Sequence, residues 1–119
     1  MSGMQKVTGG CHCGAVRYEA EVDLDKTMQC NCSHCSTKGF VLTFAPEKAF
    51  KLVSGGDKLK EYRFYKHAIA HQFCLECGVQ PFAYGKDPKG NAMVAINLRA
   101  ADGVDLATLN PQKVDGRSF

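Results

Sequence analysis

At 119 residues, with 45% hydrophobic and 23% charged side chains, the chain has the composition of one ordinary globular domain, neither disordered nor large enough to divide. Its formal charge of +3 comes from Lys and Arg residues scattered without runs, short of the dense basic footprint of a nucleic-acid binder. No segment approaches membrane-spanning length and Met1 to Val7 contains no apolar signal region, so neither a membrane nor export is expected, and the cytoplasm is the expected compartment.

Gly9-Gly10 and Gly14 bracket the first two cysteines, Cys11 and Cys13, where the backbone is expected to turn sharply. In an extended Cys11-His12-Cys13 both sulfurs point to one side and His12 to the other. From Gly14 to Val22, apolar Val16, Tyr18, Ala20 and Val22 alternate with Arg17, Glu19 and Glu21, which predicts a half-buried antiparallel strand. Leu24 to Gln29 reads as a connection into Cys30-Asn31-Cys32-Ser33-His34-Cys35. There Ser33 begins a short helical turn that Ser36 to Gly39 end, and amides at its start would favour thiolates. Phe40, Leu42 and Phe44 then alternate with Val41 and Thr43 in a strand stopped by Pro46, and Glu47 to Phe50 forms one helical turn.

Ser54-Gly55-Gly56-Asp57 is a turn, and Lys58 to Tyr65 is a strand with Tyr62 and Phe64 on its apolar face. Ala68 to Phe73 leads as a strand into Cys74-Leu75-Glu76-Cys77-Gly78, where Gly78 suits the left-handed conformation that closes a Cys-x-x-Cys turn. Phe82 and Tyr84 precede an Asp87-to-Asn91 turn and a strand from Ala92 to Leu98, and the tail from Arg99 to Phe119 carries no clear pattern. No internal repeat appears. The expected class is mainly β, as one domain over residues 1–119.

Seven cysteines in a chain expected in the cytosol point to metal or redox chemistry, and the odd count leaves one thiol over in any all-disulfide scheme. They divide as four plus three: a closed site with four ligands, and an open one with three that keeps a coordination position. Joining Cys11 and Cys13 to Cys74 and Cys77 makes an all-thiolate structural site, although spacing alone leaves open which pairs join. Cys30, Cys32 and Cys35 lack a fourth cysteine. Their open position can take water, a thiol or a histidine; His67 and His71 are better placed than His34, which is strained by its adjacency to Cys35. A metal held there would stabilise a thiolate and polarise an aldehyde oxygen, which suits reversible addition of a thiol to a carbonyl. Zinc fits the donor set, as iron–sulfur and Cu(I) also do. No nucleophile elbow, P-loop or dinucleotide fingerprint competes.

Three motifs in this order, Gly10-Cys11-His12-Cys13-Gly14-Ala15-Val16-Arg17-Tyr18, Cys30-Asn31-Cys32-Ser33-His34-Cys35 and His71-Gln72-Phe73-Cys74-Leu75-Glu76-Cys77-Gly78, carry a family resemblance. Ala95-Ile96-Asn97-Leu98-Arg99 and Asp102-Gly103-Val104-Asp105 extend it over most of the chain. Together they resemble the glutathione-dependent formaldehyde-activating enzyme family, which also includes centromere protein V. The resemblance implies a tent-like arrangement of antiparallel sheets stapled by zinc. It assigns a structural zinc to Cys11, Cys13, Cys74 and Cys77, and a second, catalytic zinc to Cys30, Cys32 and Cys35. It implies carbon–sulfur lyase activity: reversible condensation of formaldehyde with glutathione to S-hydroxymethylglutathione. The partners it implies are a small-molecule thiol, glutathione in the family, and an aldehyde, with no nucleic acid and no membrane. Arg17, Lys38, Arg63 and Arg99 are the candidate cations for a thiol bearing two carboxylates. The alternative is a non-catalytic zinc-stapled binding module for a protein or nucleic-acid partner, since the β framework also resembles a chaperone-like regulator of Rab GTPases. Tyr62-Arg63-Phe64-Tyr65-Lys66 interleaves aromatics with charge as base-stacking surfaces do, yet keeps the period of one strand.

Overall fold

The computed structural model describes residues 4–31, 33–63, 69–87 and 89–114, without the side chains of residues 33, 35 and 36; all that follows concerns these residues. The strands are β1 (Gln5–Gly10), β2 (Arg17–Val22), β3 (Thr27–Cys30), β4 (Leu42–Pro46), β5 (Phe50–Ser54), β6 (Leu59–Tyr62), β7 (Ala70–Cys74), β8 (Phe82–Lys86), β9 (Ala92–Asn97) and β10 (Gln112–Val114). One short helix, α1 (Ser33–Lys38), separates β3 from β4. A three-stranded sheet runs β1-β2-β5 and a seven-stranded sheet runs β10-β3-β4-β9-β8-β7-β6. The pairings are antiparallel except that of β10 with β3. The fold is therefore mainly β, as the alternating segments and Gly-rich turns led us to expect.

The core is the seam between the two sheets. On β2, Tyr18, Ala20 and Val22, with Val16 just before, are at most 2% exposed, which is the face that the alternation predicted. They meet Phe82, Val94 and Ile96 of the large sheet, which are equally buried. Phe50 of β5 stacks on Tyr18 at 5.5 Å between centroids and meets Phe82 edge-on at 4.8 Å. Such aromatic pairs add to the stabilisation from burial alone. Because strand side chains alternate, Phe82, Val94 and Ile96 facing the core put Ala83 and Ala95 on the outer face of the same sheet.

Strand β4 lies where the alternation of Phe40, Leu42 and Phe44 with Val41 and Thr43 placed it and ends at Pro46. Phe40 and Leu42 are buried, but Phe44 is 42% exposed and Thr43 only 1%. The Thr43 hydroxyl donates to the Lys26 carbonyl at 2.8 Å, with the Asp23 carbonyl at 3.3 Å, so its polar atom is satisfied inside. It shares the core face with Ala45, at 0% exposure. Tyr62, expected on an apolar face, is 49% exposed; Phe64 lies outside the described residues. Strands β1, β3, β5 and β10 were not expected. Their segments are short and mix polar with apolar residues, and β1 and β5 take their conformation by pairing with the two edges of β2. The expected helical turn after Pro46 is present as a 3-10 turn at Glu47–Ala49.

The far edge of β1 is partly covered by the segment after β9. Asp102 donates its amide to the Thr8 carbonyl at 2.8 Å, Gly9 bridges Ala101, and the Asp102 carboxylate accepts from the Thr8 hydroxyl and pairs with Arg17. Hydrogen bonds from Arg17, first, and then Thr8 hold the Asp102 carboxyl below the usual carboxylate range.

Two outcomes are expected. A Cβ on Gly10 would stand 1.8 Å from the Val16 carbonyl oxygen, backbone that cannot move aside; Gly10→Ala should cost about 3 kcal/mol in urea unfolding. Gly56→Ala, which meets only the flexible end of Leu52 at 3.3 Å, is the matched control and should change stability by less than about 1 kcal/mol. The Arg17–Asp102 pair is partly exposed, so solvent screening limits Asp102→Asn to about 0.5–1 kcal/mol at neutral pH. With a depressed carboxyl pKa, that contribution is present above the unfolded value and is lost as pH falls. The difference between variant and parent should shrink below about pH 4.

Candidate functional site

Cys11 follows β1 and Cys74 ends β7, so the two sheets each bring one cysteine to the same place. Cys13 and Cys77 lie in the turns that come next, each followed by a glycine in the left-handed region, Gly14 at φ 83° and Gly78 at φ 79°. That conformation folds the second sulfur of each pair back toward the first. His12, between Cys11 and Cys13, is exposed.

The four sulfurs all lie within 4.8 Å of one another, with Cys11 to Cys13 at 3.5 Å and Cys13 to Cys74 at 3.7 Å. A disulfide needs about 2.05 Å. Metal–sulfur bonds of about 2.3 Å in a tetrahedron place neighbouring sulfurs about 3.8 Å apart. The spacing therefore fits four ligands to one ion, and the join between pairs that spacing in sequence left open is made here across 61 positions.

Each sulfur also has a backbone amide. Val16 N–H donates to Cys11 Sγ at 3.3 Å and Glu76 N–H to Cys74 Sγ at 3.4 Å, while the amides of Ala15 and Val79 serve Cys13 and Cys77. Amides stabilise thiolates, but four thiolates this close repel. The Val79 amide leads the causes that bring Cys77 down to about 6. On Cys13 the Ala15 amide is outweighed by the neighbouring sulfurs, Cys11 foremost, and the thiol is pushed up to about 12. Burial raises Cys11, yet the Val16 amide and the thiols of Cys13 and Cys74 bring it below its ordinary value. The cluster cannot be fully ionised without a positive charge at its centre. Soft donors, amide support and spacing together fit a metal ion.

The second cysteine group lies at the end of β3. Cys30 is half-buried there, and the Asn31 amide that follows donates to the Val114 carbonyl at 3.1 Å. Cys35 belongs to α1. Cys32, the Cys35 side chain and His67 lie outside the described residues. His34, also on α1, is not turned away from the neighbouring elements: its ring lies 4.1 Å from that of His71, 5.6 Å from Phe40 and 5.7 Å from Tyr62, the last nearly parallel at 23°. His71 sits on β7 and is 6% exposed. Gln80 Nε2 donates to His71 Nδ1 at 2.9 Å, and the Gln80 carbonyl accepts from Asn97 Nδ2 at 2.9 Å. Burial, then the charges of His34 and Lys38, bring His71 down to about 4; burial, then Lys38, lowers His34. Both imidazoles are therefore neutral at physiological pH. Gln80 has no motif in the sequence that could have signalled this role.

Three of the four candidate cations are engaged within the protein. Arg17 pairs with Asp102, Arg63 with Glu61 at 2.9 Å, and Arg99 donates to the Gly39 carbonyl just after α1. Lys38, the last residue of α1, is exposed. Among the described residues no helix is long and apolar enough to cross a membrane.

Comparison with known proteins places these features. A crystal structure of a Rhodobacter sphaeroides protein superposes with a TM-score of 0.78 at 27% sequence identity, covering 89% of this chain and 97% of that one. The family model described as glutathione-dependent formaldehyde-activating enzyme matches residues 6–114, a span that takes in all seven cysteines. The chain belongs to the glutathione-dependent formaldehyde-activating enzyme family.

Proposed function

We propose that the protein is a zinc-dependent carbon–sulfur lyase that reversibly joins a thiol to an aldehyde, as one domain over residues 1–119 working in the cytoplasm. The observation that carries this reading is the family match over residues 6–114, and the four-sulfur cluster supports its metal dependence. Cys11, Cys13, Cys74 and Cys77 would hold a structural zinc, and Cys30, Cys32 and Cys35 a catalytic one with a coordination position left open. Bound at the second site, zinc supplies Lewis acidity and a stabilised thiolate.

In condensation the thiol gives up its proton, its sulfur bonds to the aldehyde carbon, and the carbonyl oxygen takes up a proton; the reverse breaks the same carbon–sulfur bond. The chain's own part is positional. Strand β3 delivers Cys30 and α1 delivers Cys35, while the His34 ring seats α1 against His71 and Tyr62. Gln80 in turn fixes the His71 ring. Glutathione and formaldehyde are the family-level substrates.

Metal counting and calorimetry separate the two sites. The parent should bind two zinc ions per chain. Cys32→Ser should bind one, keep its thermal midpoint within a few degrees and lose S-hydroxymethylglutathione formation by at least about a hundredfold. Cys74→Ser, or exhaustive chelation of the parent, should abolish the cooperative transition, because structural zinc in small thiolate sites contributes on the order of 10 kcal/mol. One zinc per chain and no activity with any thiol–aldehyde pair would sink the lyase and leave a zinc-stapled binding module.

A further inference from the structure

Strand register sets Arg99 beside the end of α1. Leu42 on β4 opposes Asn97 on β9, and the pairing runs one step further, with the Leu98 amide donating to the Val41 carbonyl at 2.8 Å. Arg99 thus lies alongside the stretch by which the chain leaves α1. Gly39 ends that helix in the left-handed region at φ 70°, and its carbonyl accepts from Arg99 Nε. Arg17 and Arg63 meet carboxylates, whereas Arg99 meets a neutral carbonyl.

The same arginine belongs to a chain of hydrogen bonds that returns to the other end of α1. Its amide donates to Asn97 Oδ1 at 3.1 Å, Asn97 Nδ2 donates to the Gln80 carbonyl at 2.9 Å, and Gln80 Nε2 donates to His71 Nδ1 at 2.9 Å. Asn97, Gln80 and His71 are each at most 8% exposed. His71 then meets the ring of His34, in the first turn of α1, at 4.1 Å between centroids. One buried polar chain therefore grips the helix near both ends, at His34 and at Gly39. A helix of six residues is too short to hold its own conformation, so outside contacts such as these set where it sits. Cys30 arrives on β3 and Cys35 on α1, and β3 is placed by its own pairings with β4 and β10.

We infer that Arg99 is a positioning residue for the reaction: its Nε–H pins the end of α1 and so fixes the backbone at Cys35 relative to β3. The inference rests on the lyase reading for the reaction that is served, and on the hydrogen-bonded chain for the clamp. In this role the guanidinium charge is dispensable, and the place of its one N–H is not.

That consequence sets two substitutions against each other. The amide nitrogen of glutamine stands as many bonds from the backbone as Arg Nε does, without the charge; lysine keeps the charge but has a methylene at that place. The test uses the zinc-loaded full chain, with hydrogen exchange of the α1 amides followed by NMR and turnover of glutathione plus formaldehyde measured alongside. In Arg99→Gln both exchange and kcat should stay within about twofold of the parent. In Arg99→Lys the amides of Thr37, Lys38 and Gly39 should exchange roughly tenfold faster. Its kcat should fall roughly tenfold, with KM for glutathione within about twofold of the parent. The reverse order, a fully active Arg99→Lys beside an Arg99→Gln with raised KM, marks contact with a substrate carboxylate and overturns the positioning role. Exchange of α1 unchanged in Arg99→Lys overturns the clamp. Should the parent turn over no thiol–aldehyde pair, the lyase reading fails alone, and the exchange pattern still decides whether Arg99 holds the helix.

Discussion

Four sulfurs within 4.8 Å of one another are the constraint around which this chain is built. Two come from the end of the small sheet and two from the end of β7 in the large one, so their meeting joins the sheets at one corner. The local backbone serves that meeting. Gly10 lets the chain pass against the Val16 carbonyl, Gly14 and Gly78 turn it in the left-handed region, and each sulfur has an amide. Amides alone cannot neutralise four like charges at this separation, as the split between Cys13 and Cys77 makes plain. A metal ion held by the four sulfurs would supply the opposing charge, and it would act here as a core does elsewhere, since the seam of Tyr18, Phe50 and Phe82 is modest in size.

The large sheet does two jobs with its two faces. Its inner face, Phe82, Val94 and Ile96, closes the seam against β2 and β5. Its outer face receives α1 through imidazole and aromatic rings. The polar atoms beneath the His34 ring are ordered by hydrogen bonds, Asn97 to the Gln80 carbonyl and Gln80 to His71. A buried polar chain of this kind costs little when its members are satisfied and fixes orientation where an apolar contact would allow sliding. It holds the helix bearing Cys35 in one place on the sheet.

Belonging to a family narrows the chemistry more than it narrows the substrate. The four-sulfur cluster speaks for metal chemistry because few other groups need so many soft ligands. Substrate choice rests on other groups, and Arg17, Arg63 and Arg99 are tied to Asp102, Glu61 and the Gly39 carbonyl.

Local signals were legible from the residues alone. The alternation along β2, the turn glycines after each cysteine pair, the helical turn at Ser33 and the mainly β class all follow from period and residue type over a few positions. Ligand counting set four of the seven thiols apart for the same reason, since coordination number is a property of the ion, and those four meet in the structure. The tertiary structure alone decided which distant pairs meet, because a separation of 61 positions carries no distance information. It also decided which face of β4 is inside: Thr43 can be buried only because the Lys26 carbonyl waits for its hydroxyl, a partner invisible in a hydrophobicity pattern. Strands β1 and β5 exist because β2 offers both its edges, and Gln80 matters because the fold sets it against His71. Spacing along a chain specifies what a segment can do; contact between segments, governed by packing and by the satisfaction of buried polar atoms, settles what it does.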